Sequence, residues 1–349
     1  MKENPVSADR LIDRFDAVLS DLDGVVYAGP HAIPGAPEAL ESVKAAGIPV
    51  VFVTNNASRS VEQVAEHLSE LEVATTGEQV ISSAQAAAVV LKDKLDPGAK
   101  VMITGSQALA QIVRDAGLEP VWGQEDQPQA VVQGFDPGLG WKDLAEAAFV
   151  LADSEVLWVA TNTDGSIPQA RGIAPGNGTL VAAVRSATKR DPLVAGKPEA
   201  PIFTAGAQRV NAQNPVVIGD RLDTDILGGN RAGFATIAVL TGVDTLESIL
   251  GAVTAERPQI VINELSELFE PLTEAELVTA ATGDSHDDDA ASPVEARCKG
   301  AWAQAHDGGL TVHGDRDDLN AWRAAMAAWW DLNPEVTTAH VPEITWESA

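Results

Sequence analysis

Two aspartates stand two residues apart at the end of an apolar run in "AVLSDLDGVV": Asp21 and Asp23, with a glycine directly after. Two other apolar runs end in a similar way. "VVFVTNN" closes on Thr54, Asn55 and Asn56, and "PVVIGDRLDTD" closes on Asp220, Asp223 and Asp225. The carboxylates of Asp21, Asp23 and Asp220, brought to one place, repel one another and require a cation. Oxygen donors that leave room for water suit Mg²⁺ better than zinc, and Mg²⁺ suggests phosphate chemistry. Lys197, in the Gly-Lys-Pro turn of "AGKPEAPIF", would neutralise phosphoryl oxygens and Asp21. Its proline is expected at the start of a helix, where a fixed φ suits the first turn. No GxxxxGK[ST] is present, which excludes a Walker-type nucleotide loop.

These groups meet only if the runs are neighbouring strands of a parallel sheet, where the functional crevice lies outside the carboxyl ends. The order of elements fits. "FDAVLS", "GAPEALESVKAAGI", "PVVFVTNN" and "SVEQVAEHLSEL" alternate strand and helix patterns, as βαβ units do. A second series runs through "KVMITGS", "QAVVQGFD" and "VLWVATNTD", and a third through "NPVVIGD" and "ATIAVLTG". The expected fold class is α/β, a doubly wound parallel-sheet core (residues 1–81 and 191–273) carrying an inserted α/β cap (82–190). Residues 274–296 are acidic and rich in small side chains, and read as a linker. A small C-terminal α+β module (297–349) follows. It holds five of the eight tryptophans, which are expected to be core. Its strands and helix resemble part of a GNAT-type acetyltransferase, without that family's pyrophosphate-binding "[QR]xxGx[GA]" loop.

Composition narrows the partners. A formal charge of −28 over 349 residues excludes nucleic acid, whose phosphates would be repelled, and anionic membrane surfaces. The single cysteine, Cys298, excludes an internal disulfide and a cysteine zinc cluster. The first residues lack an apolar signal segment, and no run approaches the roughly 20 apolar residues that span a bilayer. A cytoplasmic protein is expected, with homo-oligomer formation left open. The six histidines form no ligand-spaced pair and read as structural or exposed.

"DLDGVVY", "VTNNAS", "GKP" and "GDRLDTDI", in that order, resemble the four motifs of the haloacid-dehalogenase-like phosphatases. The insertion between the second and third resembles the large α/β cap of the p-nitrophenylphosphatase branch, and the likeness spans roughly residues 11 to 270. The resemblance implies that Asp21 is the nucleophile and forms an aspartyl-phosphate. Asp23 would protonate the leaving alkoxide and then take a proton from water. Thr54 and the backbone at Asn55 would hold the phosphoryl group, and Lys197 would stabilise its charge. Asp21, the Asp23 carbonyl and Asp220 would bind Mg²⁺, with Asp225 orienting Lys197 or the metal's waters. Asp223 is expected to cap the following helix. In "ATNTDGSIPQARGIAPGNGTL", the cap loop that contacts the leaving group in this family, Asn162, Asp164 and Arg171 are the candidate substrate contacts. The implied activity is Mg²⁺-dependent phosphomonoester hydrolysis of a small metabolite. Glycerol 3-phosphate comes first, because a capped core followed by a tail is similar to the actinobacterial glycerol-phosphate phosphatases. Phosphoglycolate and pyridoxal phosphate are alternatives, as are a phosphotransferase and a non-catalytic regulatory protein.

Overall fold

The structure, a computed structural model, describes residues 10–55, 60–169, 171–278 and 293–347. Its centre is a parallel sheet of six strands in the order Ile260–Ile262, Ala235–Val239, Pro215–Gly219, Ala17–Ser20, Val50–Thr54, Val80–Ser82. The strands are short apolar runs buried on both faces, as parallel sheets demand. Leu19 sits between Val217 and Val51 in register, and Ser20 between Ile218 and Phe52. That register brings Asp21, Thr54 and Asp220 out at one edge of the sheet.

Helices Ala36–Ala45 and Val61–Glu70 cover one face of this sheet, packing Leu40, Val43 and Leu68 on Val18 and Phe52. Helices Ser83–Lys94 and Ala200–Arg209 cover the other. This second apolar layer does not stop at the core. It continues through Leu91 and Ile202 into Val101, Ile103, Val132 and Val159 of the cap, so cap and core share one packed interior.

The cap is a second parallel sheet, ordered Leu193–Val194, Leu157–Ala160, Ala130–Gln133, Lys100–Thr104, Glu119–Val121. Its last strand moves the boundary expected at residue 190. Leu193 and Val194 pair with Val159 and Ala160, and two residues are too few to show a period in the sequence. A hairpin of Ser166–Gln169 with Gly172–Pro175 projects from the cap beside the core's carboxyl edge.

The expected linker is also revised. Glu276–Val278 and the first three residues of Val294–Cys298 lie inside residues 274–296, yet the two segments form the first two strands of the C-terminal sheet. Acidic composition hid their alternation: Ala296 and Cys298 point inward while Glu295 and Arg297 point out. The rest of the expected linker, 279–292, falls outside the described residues. The sheet continues through Ala301–His306 and Gly309–His313 to Glu343–Glu347, the last pair parallel across helix Leu319–Leu332. Trp322 and Trp329 are buried, as expected. Their apolar cluster extends past the module into Ile249, Leu250, Leu222 and Ile226 of the core. Trp330 Nε1 donates to Leu250 O (3.0 Å) and Arg323 Nη2 to Val261 O (2.8 Å), which fastens the module to the body. Among the described residues no helix is long and apolar enough to cross a membrane.

Candidate active site

Asp21 leaves the central strand with its amide still bound to Ile218 O. Oxygens of Asp21, Asp220 and Asp225 lie within 4.8 Å of one another. Among the described residues the Asp23 side chain is not part of this group. It is exposed at the mouth of the same cleft, because a residue two past Asp21 has already entered the turn. Asp225 takes the third place. It lies on a single π-helical turn, Leu222–Ile226, which swings it back under Asp21. Such turns recur at functional sites.

Three glycines make this convergence possible. A methyl group on Gly24 would stand 2.2 Å from Asp220 Oδ2, and one on Gly242 2.0 Å from the same atom. A methyl group on Gly219 would stand 2.1 Å from Asp225 Cβ. Gly24 also holds φ +82°, which favours glycine. Gly24→Ala is therefore expected to displace Asp220, weakening Mg²⁺ affinity at least about tenfold while the fold persists, as isothermal titration would report.

Lys197 is buried, and its ammonium lies between Asp21 Oδ1 and Asp225 Oδ1, the latter at 2.8 Å. Asp225 Oδ2 also accepts from the Arg221 amide at 3.2 Å. Burial works against the lysine's charge, but Asp21 and Asp225 outweigh it and raise its pKa. Burial raises Asp21 and Asp225 too, with Lys197 pulling the other way. An ammonium wedged between two carboxylates keeps its proton. Asp220 is pushed up to about 6, by burial first and then by the charge of Asp225. Its Oδ2 accepts from the Val243 amide (2.8 Å), whereas Oδ1 is buried with no donor. A buried carboxylate oxygen without a donor, beside two more carboxylates, fits a hard divalent cation.

The lysine's backbone is held with equal care. Asn55 Oδ1 accepts from Lys197 N (2.7 Å) and Asn55 Nδ2 donates to Lys197 O (3.1 Å). Helix Ala200–Arg209 begins beyond this turn, so the proline of its first turn is Pro201, and Pro198 stays outside the helix. Asn55 Nδ2 also reaches Asp164 of the cap at 3.1 Å. Burial raises the Asp164 pKa.

A cleft of about 860 Å³ opens over these groups. Asp21, Thr54, Asn55, Lys197 and Asp225 form its floor and Asp23 its mouth, while Asn162, Asp164, Ser166, Phe135 and Asn177 come from the cap. Asn162 lines it, but its side chain is committed to Asn55 O and the Asp164 amide. Arg171 sits exposed in the hairpin turn and is not among the cleft residues. Asp223 does not cap a helix. It pairs with Arg221 at 2.8 and 3.0 Å. Ser83, Asn177 and Arg221 had gone unmarked in the sequence. The pair of serines in "ISSAQ" was the available signal for Ser83, since a helix start needs only one of them.

Comparison with known proteins agrees with this geometry. A haloacid dehalogenase-like hydrolase model matches residues 18–119, and an HAD-hydrolase-like model matches residues 194–268. The chain is 46% identical over 260 residues to a D-glycerol 3-phosphate phosphatase of Mycobacterium tuberculosis, covering 74% of this chain and 72% of that one. It is 37% identical over 279 residues to human chronophin, covering 76% and 94%. A crystal structure of a Mycobacterium tuberculosis glycerol phosphate phosphatase in complex with magnesium superposes with a TM-score of 0.80 at 39% identity, over 98% of this chain and 96% of that chain. The first model match runs from the core into the cap, the second covers the returning core, and the relatives extend across both: the chain belongs to the haloacid dehalogenase-like hydrolases.

Proposed function

We propose that this phosphatase hydrolyses glycerol 3-phosphate, with Mg²⁺, through an aspartyl-phosphate on Asp21. The observation that carries the reading is the Lys197 ammonium between Asp21 and Asp225 on the floor of the cleft. Asp21 attacks phosphorus in line as the ester P–O bond breaks, and Asp23, at the cleft mouth, gives its proton to the leaving alkoxide. Asp23 then takes a proton from water, which attacks phosphorus and returns Asp21 with release of phosphate. Lys197 holds the charge on the phosphoryl oxygens, and Thr54 with the Asn55 backbone orients them. Asp21, Asp220 and the Asp23 carbonyl would hold Mg²⁺, which would supply the remaining positive charge.

The cap wall argues for a polyol leaving group. Thr163, Asp164 and Ser166 line it, while the cleft's two cations, Lys197 and Arg221, are already paired with aspartates. A carboxylate leaving group such as glycolate would face Asp164. The names of the relatives point the same way. A cytoplasmic location suits a chain with one cysteine and a small-metabolite substrate. The test is free-phosphate release from a panel of esters with Mg²⁺. The kcat/KM for glycerol 3-phosphate is expected at least about tenfold above phosphoglycolate and pyridoxal phosphate, a margin of one or two polar contacts. A preference for phosphoglycolate would overturn the substrate. Consumption of ester with phosphate appearing only on an acceptor alcohol would favour a phosphotransferase.

The metal carries a pH signature. A carboxyl whose folded pKa is raised stabilises the fold below its unfolded value, 3.8 for Asp220, and that contribution is lost as pH climbs through about 6. Mg²⁺ competes with the same proton. Saturating Mg²⁺ is expected to raise Tm by roughly 5 °C at pH 7.5, and by much less at pH 5. Differential scanning calorimetry at the two pH values checks this; an equal shift at both would put the ion away from Asp220.

A further inference from the structure

The chain passes from core to cap where strand Val80–Ser82 meets helix Ser83–Lys94, and returns after strand Leu193–Val194. The two crossings touch. A methyl group on Gly196 would stand 3.0 Å from Ser83 Cβ, 2.5 Å from Asn55 Oδ1 and 2.6 Å from Thr161 O. Asn55 sits at the junction. Its side chain grips the Lys197 backbone at both N–H and C=O, and its own carbonyl accepts two hydrogen bonds. One comes from Ser83 Oγ at 3.0 Å, the other from Asn162 Nδ2 at 3.1 Å. Asn162 is held in turn, its carbonyl accepting from Asn177 Nδ2 at 2.7 Å. Ser83, Asn162 and Asn177 are all buried, so water does not readily replace these bonds. Ser83 is not needed to start its helix. Ser82 does that, accepting from the Gln85 amide while Gln85 Oε1 accepts from Ser82 N.

We propose that Ser83 and Asn162 are positioning residues for the lysine. Together they fix Asn55, whose side chain then holds Lys197 against Asp21, so the lysine is set only when the cap is seated. The proposal rests on the hydrolase reading above. Ser83 belongs to the outgoing crossing and Asn162 to the cap loop, so one carbonyl records the placement of both. Two donors on one acceptor also back each other up: either alone keeps Asn55 oriented, and losing both releases it.

The experiment is a double-mutant cycle on the full-length protein with glycerol 3-phosphate. Ser83→Ala and Asn162→Ala are each expected to lower kcat about threefold, and the pair about 100-fold, well beyond the roughly tenfold product. KM is expected to stay within about twofold, and the losses in Tm to add. A structural role alone would move Tm without this excess in kcat. A second readout needs no turnover: the Lys197 amide, which donates to Asn55 Oδ1, is expected to exchange with deuterium at least about tenfold faster in the double variant. Multiplicative kcat losses with unchanged exchange would overturn the proposal. If the unaltered protein released phosphate from no ester, the hydrolase reading would fall, and exchange at Lys197 would decide the positioning role by itself.

Discussion

Asp21→Asn is expected to lower phosphate release by at least about 10³-fold, since an amide is a poor nucleophile and no other carboxylate can take its place. Asp225 is the nearest in kind, but it lies under Asp21 and both of its oxygens are taken, by Lys197 and the Arg221 amide. Asp220 is tied to the Val243 amide. The substitution keeps shape and one oxygen donor, so the variant should fold and retain part of its Mg²⁺-induced rise in Tm. The measurement is steady-state phosphate release, with acid-quenched protein checked for covalently bound phosphate. Near-normal turnover by the purified variant would sink the nucleophile assignment.

Lys197→Met has a comparable effect on turnover and a larger one on the fold. The ammonium is enclosed by two carboxylates, with side-chain exposures of 5% for Lys197, 14% for Asp21 and 1% for Asp225. Removing one partner of a buried ion pair leaves uncompensated charge and costs about 3–5 kcal/mol. Activity should fall by about 10² to 10³, the usual loss when one donor to developing charge is removed. The pH dependence identifies the cause. Without the lysine, Asp21 and Asp225 rise further above their ordinary range, so the fold takes up protons that the unfolded chain does not. The variant should therefore gain Tm as pH falls from 8 to 5, as thermal unfolding followed by circular dichroism would show. A Tm like that of the unaltered protein across that range would mean that water already screens the two acids.

The parallel core was legible because each strand is a short apolar run closed by polar residues, and each lies a helix away from the next. Asp21, Thr54, Lys197 and Asp220 were legible for the same reason, since strand ends and tight turns are local. What was hidden depends on contacts between distant segments. The contact of Asp225 with Lys197 was implied by the motif resemblance, but its approach to Asp21 and Asp220 comes from a π turn, and one extra residue in a helical turn leaves no periodic trace. Strand Leu193–Val194 exists through its pairing with Val159 and Ala160. Asn162 looks like a loop residue until Asn55 and Asn177 are in place on either side of it. Arg171 lies in the same cap loop, but the hairpin turns it into solvent.

The apolar cluster that runs from Trp322 and Trp329 to Leu222 and Ile226 has a consequence for synthesis of the chain. Leu222 and Ile226 bound the turn that carries Asp223 and Asp225, and Ile249 and Leu250 extend the same face. The module residues that pack on this face are made after the whole core. At about 5–20 residues per second, the ~70 residues beyond Val278 take roughly 4–14 s to appear. For that interval the catalytic motifs are all made, yet the floor beneath Asp225 is bare and open to chaperones and proteases. A nascent chain stalled at Val278 should be cut readily near Leu222, and one extended through Glu347 with the module docked should resist. Activity would then begin once the module has docked rather than when the last motif emerges.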